Sequence, residues 1–319
     1  MKKNKILVAG SNGMVGSAIV RALKSSGYKN LLTPSRKELD YTNRVNVINY
    51  FKNKKIDIVI IASAKVGGIL ANVTYPVDFL ETNLLIQNNL INTSYKFKIK
   101  KLIFLGSSCI YPLNKSKIKE NDLMSGYVEP TNEPYAIAKI AGIKLCESYN
   151  KQFNCDFRSI IPCNLYGYGD NYNLKDSHVL PALIRKFHEA NLKKKNVEVW
   201  GDGSAVREFM FVDDLANAII KVLSLSKKKY DSLLKKNKVS VLNIGTSKEI
   251  SIKNLAYTIK KVSGFKGKIF FNKKYPNGNP YKVLDCSIIF KIWKPKIKLK
   301  EGISLTLLDY IKNLKNLRK

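Results

Sequence analysis

A tyrosine and a lysine four residues apart, Tyr135 and Lys139, are the first residues of this chain whose types and spacing suggest chemistry. Residues at this spacing lie on one face of a helix, so the lysine ammonium can ease loss of the phenolic proton. The pair would then act as a proton donor. Three further Tyr-x-x-x-Lys pairs occur in the chain, and a solvated helix face has the same pattern, so context must single out one pair.

A serine after a predicted buried strand supplies part of that context. The strand Lys101–Leu105 is followed by Gly106 and Ser107. Ligands bind at the carboxyl ends of strands in a doubly wound sheet. A Ser107 hydroxyl at this edge can bridge a substrate carbonyl oxygen and the Tyr135 phenol, which favours this tyrosine over the others.

The elements that must position these side chains begin with the predicted strand Ile6–Ala9, which runs into a glycine-rich turn and a helix that continues to Lys24. Gly10 and Gly13 let the backbone approach a pyrophosphate at the helix N-terminus, and Gly16 lets helix and strand pack closely. This arrangement predicts dinucleotide binding. The alternative is a simple tight turn, which would not require a strand before the glycines and a helix after them. The predicted cofactor contacts are Gly10, Ser11, Asn12, Gly13, Met14, Val15 and Gly16.

Basic residues follow the second predicted strand, residues 30–33. An acidic residue in this place would bind the ribose 2′-hydroxyl of NAD, whereas Arg36 and Lys37 offer donors to the 2′-phosphate of NADP. NADP is therefore the favoured cofactor. A solvated basic turn is the alternative, because Glu38 and Asp40 lie close by.

Strands and helices alternate through the first half of the chain, which predicts an α/β fold, a Rossmann-type doubly wound parallel sheet with a smaller C-terminal lobe. Further strands are predicted at 57–62, Phe157–Pro162, 239–244 and 268–271, and helices at 44–52, 76–95, 211–225, 250–262 and 303–314. The predicted NADP-binding domain covers 1–163, joined by about 211–245. The predicted substrate-binding lobe covers 164–210 and 246–319.

The net charge is strongly positive, +32 from 56 Lys and Arg against 24 Asp and Glu, which suggests an anionic partner: a nucleic acid, a membrane or a phosphorylated small molecule. The lysines are scattered, however, so a solvated basic surface is the simpler interpretation. Nucleic-acid and membrane partners are not expected.

Five cysteines without a Cys-x-x-Cys pair, and only two histidines, favour neither a disulfide framework nor a zinc site. No stretch approaches the ~18 apolar residues of a membrane span. A reducing, cytoplasmic setting and no metal are expected.

With the glycine turn, Arg36, Ser107, Tyr135 and Lys139 in place, the sequence resembles the extended short-chain dehydrogenase/reductase family, which acts on nucleotide sugars. The resemblance covers nearly the whole chain. In that family a serine, a tyrosine and a lysine form the catalytic triad, which corresponds here to Ser107, Tyr135 and Lys139. The resemblance implies NADP(H) as the cofactor, a nucleotide-sugar substrate and a homodimer.

Cys109 stands where the sugar-nucleotide dehydratases of the family have a glutamate. A thiol can give or take a proton at a carbon next to a carbonyl, and His178 could serve the opposite face. Similarity to the family's epimerase-reductases extends over residues 64–69, 106–112, 129–142, 177–179 and 206–209. It implies an NADPH-dependent enzyme that epimerises a GDP-linked 4-keto-6-deoxy-D-mannose at C3 and C5 and reduces C4. Without the resemblance, Cys109 would be interpreted as a small buried side chain and His178 as a loop histidine.

The resemblance also assigns contacts residue by residue. Those to the cofactor are Leu105, Gly106, Lys139, Pro162, Cys163, Asn164, Leu165 and His178, and those to the substrate are Lys186, Trp200, Arg207 and Asn277. The chain departs from the family pattern at Lys186, where arginine is usual, and at Asn277, where aspartate is usual. Ser11-Asn12 replaces a basic pair, which leaves more of the NADP selection to Arg36.

Two other functions stay open. The nearer is another nucleotide-sugar 4-reductase, or a 4-epimerase with tightly held NAD, since neither needs Cys109 and His178 together. The more distant is a cofactor- or nucleic-acid-binding protein without catalysis that uses the positive charge.

Overall fold

The computed structural model describes residues 2–113, 116–174, 176–275 and 277–314. Its strands are β1 (Ile6–Ala9), β2 (Leu31–Leu32), β3 (Ile58–Ile61), β4 (Lys101–Leu105), β5 (Phe157–Pro162), β6 (Asn164–Tyr166), β7 (Val197–Trp200), β8 (Val206–Arg207), β9 (Phe209–Phe211), β10 (Val241–Ile244), β11 (Ile250–Ser251), β12 (Ile269–Asn272) and β13 (Tyr281–Lys282). Its helices are α1 (Met14–Ser25), α2 (Arg44–Lys54), α3 (Ile69–Thr74), α4 (Pro76–Lys96), α5 (Glu133–Phe153), α6 (Val179–Lys193), α7 (Val212–Ser224), α8 (Lys227–Lys236), α9 (Ile252–Val262) and α10 (Leu299–Lys312).

Six parallel strands form the central sheet, in the order β10-β5-β4-β3-β1-β2. Strands β1, β3, β4 and β5 are buried along their whole length, as expected for a sheet with helices on both faces. The strand order reverses at β1, which lies between β2 and β3. The crevice beyond the carboxyl ends of β1 and β3 is therefore where a ligand should bind. The predicted fold class is confirmed.

The buried apolar residues form two cores. The first surrounds the central sheet and also takes in α7, β10 and residues around Leu284 and Ile289. The second is formed by α6, α9, α10 and the short strands β6, β7 and β9. Strands β11, β8 and β13 form a separate small sheet, in which Lys282 pairs with Arg207. The division of the chain into two lobes at the predicted boundaries stays a prediction.

Several elements differ from the sequence prediction. β2 is only two residues long, α10 begins four residues before the predicted start at 303, and α3 and α8 were not predicted. α8 is rich in lysine and buries only Tyr230 and Leu234, so its sequence contains few apolar residues that would predict an element. Within the described ranges, no helix is long and apolar enough to cross a membrane.

Candidate active site

The glycine turn after β1 packs against neighbouring backbone too closely for side chains at two of its positions. Gly10 has φ of +85°, and a Cβ atom there would lie 2.7 Å from the backbone nitrogen of Ser63 at the end of β3. A Cβ atom at Gly16 would collide with the carbonyl of Gly10. Both positions therefore require glycine.

The first turn of α1 is open for an anion. Gly13 occupies the N-cap position, where no side chain accepts a hydrogen bond from the helix, so the first backbone N–H groups face outward. The buried Ser11 hydroxyl has no hydrogen-bond partner among the described residues. A pyrophosphate fits this end of the helix, which agrees with the dinucleotide site predicted from the sequence.

Arg36 lies beyond the end of β2, beside the glycine turn, and its side chain is exposed. Glu38 in the same turn accepts a hydrogen bond from the backbone N–H of Ser35, at 2.7 Å, which occupies one of its carboxylate oxygens. Hydrogen bonds from Thr42, and to a smaller extent the Arg36 charge, lower the pKa of Asp40. Arg36 and Lys37 are both exposed in this turn, and their contact with a ribose phosphate stays a prediction.

Ser107, Tyr135 and Lys139 meet at the carboxyl end of β4. The Ser107 hydroxyl accepts a hydrogen bond from the backbone N–H of Cys109, at 3.2 Å, and is hydrogen-bonded to the Tyr135 phenol. Lys139, one turn along α5, donates to the carbonyl of Leu105 at 3.0 Å. The structure therefore brings the three residues of the predicted triad to one edge.

Burial shifts the pKa values of Tyr135 and Lys139 in this triad. Burial raises the pKa of Tyr135 well above its usual value, the neighbouring Cys109 adds to the rise, and the hydrogen bond with Ser107 opposes it. Burial also lowers the pKa of Lys139 to about 8. Burial thus opposes the expected effect of Lys139 on the Tyr135 pKa, and the role of Lys139 in making the phenolate accessible stays a prediction. Tyr135 is therefore held as a protonated phenol.

Lys282, which the sequence interpretation missed, acts on both Cys109 and His178. The Lys282 ammonium donates to the Cys109 sulfur at 3.1 Å. Burial, and then the positive charge of Lys282, lower the pKa of His178. The His178 ring is exposed to solvent but surrounded by protein, so it lies in a concave part of the surface.

The segment that carries His178 is tied to another predicted part of the site. The backbone N–H of Gly68, in the 64–69 segment, donates to the carbonyl of Asp176 at 2.9 Å. His178 itself precedes α6 in an extended conformation and occupies its N-cap position. These contacts direct the start of α6 toward the carboxyl edge of the sheet.

The residues after β5 lie at the carboxyl end of the central sheet. The backbone N–H of Cys163 donates to the Ile244 carbonyl at 3.0 Å, and the Asn164 amide donates to the Glu208 carbonyl at 2.9 Å. Pro162 ends β5, and Leu165 pairs with Met210 between β6 and β9. Gly106 packs so closely that an added Cβ atom would lie 2.6 Å from the Ile161 side chain.

Three of the predicted substrate residues gather around the end of β7, apart from the triad. Trp200 stacks on Tyr275 with ring centroids 4.4 Å apart, and the Lys186 ammonium lies 5.1 Å from the Trp200 ring. The Asn277 side chain accepts a hydrogen bond from the backbone N–H of Asp202 at 2.8 Å, which stabilises the turn after Trp200. Trp200 is 49% exposed. Together with Tyr275 it presents a flat aromatic surface, and the Lys186 ammonium lies beside that surface.

Arg207 lies nearer the reactive groups. Its strand β8 pairs with β13, which places it beside Lys282. Burial lowers the pKa of Arg207, and the charges of Glu129 and Cys109 oppose that shift. Arg207 is therefore a cation of the small sheet close to Cys109, and its contact with a substrate diphosphate stays a prediction.

The fold and this site define a dinucleotide-dependent oxidoreductase of the short-chain dehydrogenase/reductase class. A family model described as "NAD dependent epimerase/dehydratase family" matches residues 6–245. The chain belongs to this family.

Individual relatives agree with this class. GDP-L-fucose synthase of Escherichia coli strain K12 is 46% identical over 98% of both chains. A solved GDP-6-OMe-4-keto-L-xylo-heptose reductase from C. jejuni is 36% identical, with a TM-score of 0.91 over 98% of this chain and 99% of that one. A GDP-L-fucose synthetase from Naegleria fowleri bound to NADP is 26% identical, with a TM-score of 0.88 over 100% of this chain and 96% of that one.

Proposed function

We propose that this protein converts GDP-4-keto-6-deoxy-D-mannose to GDP-L-fucose, by epimerisation at C3 and C5 and NADPH-dependent reduction at C4. The observation that carries the proposal is the reductase triad of Ser107, Tyr135 and Lys139 with a thiol and an imidazole beside it. A reductase that leaves C3 and C5 unchanged has no need for such a proton-transfer pair. The 46% identity to a GDP-L-fucose synthase supports the same activity.

Epimerisation is assigned to Cys109 and His178. The 4-keto group acidifies the C–H bonds at C3 and C5, so one residue can remove a proton while the other returns one to the opposite face. Ser107 and Tyr135 donate hydrogen bonds to the enolate oxygen that forms in between.

Reduction uses the same oxygen. The glycine turn and Arg36 would hold NADPH, which when bound would supply the hydride for C4. The protonated Tyr135 phenol then gives its proton to the C4 oxygen, and Lys139 stabilises the resulting phenolate. Lys139 is also placed to bind the nicotinamide ribose, since its ammonium lies beside the Leu105 carbonyl at the sheet edge.

Binding of the GDP group is assigned to Lys186, Trp200, Arg207 and Asn277. Trp200 and Tyr275 present the stacking surface for a ring, and Arg207 the cation for the diphosphate. Lys186 in place of arginine offers a point charge without bidentate geometry. Asn277 accepts a hydrogen bond from the Asp202 backbone N–H and is also hydrogen-bonded to the Asp202 carboxylate, so it would act by holding the turn after Trp200 in place.

The proposed assembly is a homodimer in the cytoplasm. Helices α4 and α5 pack side by side and expose Val77, Leu85 and Ile137, which would be covered by the same helices of a second copy. All five cysteines are free, which suits a reducing compartment. Neither a nucleic acid nor a membrane is part of this proposal.

Product analysis tests the proposed reaction. Incubation of the protein with GDP-4-keto-6-deoxy-D-mannose and NADPH in deuterated water should give GDP-L-fucose with deuterium at C3 and C5, identified by NMR and mass spectrometry. GDP-rhamnose as the product, or retention of both carbon-bound protons, would contradict the proposal. A GDP-linked 4-keto-heptose assayed in parallel tests the second candidate, a heptose 4-reductase, which the TM-score of 0.91 to such an enzyme favours.

Cofactor choice is tested at Arg36. Arg36→Ala should weaken NADPH binding about tenfold, because a charge-assisted hydrogen bond to the 2′-phosphate is lost, and should leave NADH binding unchanged. Titration calorimetry with both cofactors measures this, with Lys52→Ala as the surface-charge control. Equal weakening of NADPH and NADH would show that Arg36 does not bind the 2′-phosphate.

A further inference from the structure

Lys282 is the one cation in the described residues that donates a hydrogen bond to a cysteine sulfur, at 3.1 Å from Cys109. The two residues are 173 positions apart and belong to different parts of the fold. Lys282 lies in β13, at the small sheet beside the second core, whereas Cys109 follows β4 of the central sheet. A contact between such distant segments depends on a fixed backbone on both sides.

The backbone next to Lys282 is fixed to the segment that follows Cys109. Ile118 donates its backbone N–H to the Val283 carbonyl and accepts from the Asp285 N–H through its own carbonyl, each at 2.8 Å. The N–H of Leu284 donates to the buried Glu208 carboxylate, also at 2.8 Å. Lys282 is therefore aimed at Cys109 by the backbone, and its contact is more than the chance position of a flexible lysine.

The same ammonium acts on both members of the proton-transfer pair. It contacts the Cys109 sulfur directly, and its charge contributes to the lowered pKa of His178. The other charged or titratable groups that act on this cluster come from two elements and the segment before one of them, namely Arg207 on β8, Tyr135 on α5 and Glu129 before α5. Cys109 influences both Arg207 and Tyr135, and the charge of Glu129 acts on Arg207.

We propose that Lys282 is a positioning residue for epimerisation: it holds the Cys109 sulfur by a hydrogen bond in the orientation in which the sulfur exchanges a proton with the substrate, and it places a positive charge near His178. This inference rests on the proposed function and extends it to a residue that the triad and the proton-transfer pair do not include.

The proton balance of the step explains why one charge matters to both groups. When Cys109 removes a proton, a C–H bond breaks, an S–H bond forms, and the electron pair moves onto the C4 oxygen. The opposite face then receives a proton as an N–H bond of His178 breaks and a C–H bond forms. In the reverse direction the two residues exchange roles, so in either case the pair starts with a single transferable proton.

A cation beside such a pair has a predictable effect. It favours the neutral imidazole over the imidazolium, so it shifts the deprotonation of His178 to lower pH. The rate of epimerisation is bell-shaped in pH, because it follows the population with one proton. Removal of Lys282 should therefore move the side of the pH profile that reports His178 to higher pH.

The experiment compares wild type with Lys282→Met, with Lys282→Arg as the conservative variant and Lys300→Met, a lysine on the exposed surface of α10, as the charge control. Deuterium exchange at C3 and C5 is followed against pH. Alkylation of Cys109 by iodoacetamide, measured on its peptide by mass spectrometry, is followed over the same range. At pH 7 Cys109 of Lys282→Met should be alkylated about tenfold more slowly, because its sulfur loses a hydrogen-bond partner, and the exchange profile should move to higher pH. Lys282→Arg should restore most of the wild-type behaviour, and Lys300→Met should match wild type.

Unchanged profiles in Lys282→Met, or a raised KM alone, would overturn the inference and leave Lys282 as a ligand for the substrate. Lys282→Gln provides a second variant if the methionine variant unfolds, and thermal unfolding identifies that case. The alkylation measurement needs no substrate. If the wild type shows no epimerisation but Lys282→Met still slows alkylation, the proposed function fails while the contact between Lys282 and Cys109 stands.

Discussion

Tyr135→Phe should reduce the rate of C4 reduction by about 10²- to 10⁴-fold, the range for loss of a positioned general acid. The phenol is hydrogen-bonded to Ser107, and burial raises its pKa, so it is present as a proton donor throughout the neutral range. Exchange at C3 and C5 should fall much less, by about tenfold, because Ser107 still donates a hydrogen bond to the enolate oxygen. The two reactions should thus separate in one variant.

Tyr257→Phe is the matched control for this prediction, because Tyr257 has the same spacing to Lys261 but lies 49% exposed on α9. It should retain both activities. Single-turnover oxidation of NADPH measures reduction, and NMR in deuterated water measures exchange. If Tyr135→Phe reduced C4 at the wild-type rate, the assignment of Tyr135 as proton donor would be wrong.

Cys109→Ser should lower deuterium exchange at C3 and C5 by about 10²-fold or more while NADPH binding stays within about twofold, because a serine hydroxyl is a far weaker base and acid partner than a thiol. The structure keeps Cys109 outside the glycine turn and Arg36, which are the proposed cofactor contacts. Substrate that is reduced without epimerisation should then appear as GDP-rhamnose.

The control for this variant is Cys155→Ser, another partly buried free cysteine, which lies before β5 and away from the triad. It should exchange and reduce normally. Chromatography of the products and cofactor titration are measured on both variants. Equal loss of exchange and of NADPH binding in Cys109→Ser would indicate that Cys109 has a structural role.

The strands of the central sheet were predictable because short, continuous apolar runs are typical of strands that are buried on both faces. The bounds of β1, β4 and β5 agree with the sequence prediction residue for residue. β2 is shorter than predicted, since only Leu31 and Leu32 find pairing partners on β1. α3 and α8 were missed because local propensity in short polar or mixed segments is weak compared with tertiary packing.

The site was predictable where a motif holds its residues close in sequence and unpredictable where the fold brings distant segments together. The glycine turn and the Tyr135/Lys139 pair belong to the first kind. Lys282 belongs to the second, since it lies 173 residues from Cys109 in a chain with 56 lysines and arginines. The rise in the Tyr135 pKa was also not predictable, because helical spacing does not reveal how completely the surroundings desolvate the phenol.

Glu208 has a mechanical consequence for the whole molecule. Its buried carboxyl group accepts hydrogen bonds from the backbone N–H groups of Thr246, Ser247 and Leu284, and so joins the strand beside Arg207 to the chain that returns from the central sheet. Separation of these segments would leave several buried polar groups without hydrogen-bond partners, at a cost of about 1–3 kcal/mol each. A hinge motion between the two cores would therefore require a large free energy. Sugars of different size would have to be accommodated by the side chains at the surface of the site. One rigid scaffold would then serve a series of related nucleotide sugars through changes in those side chains alone.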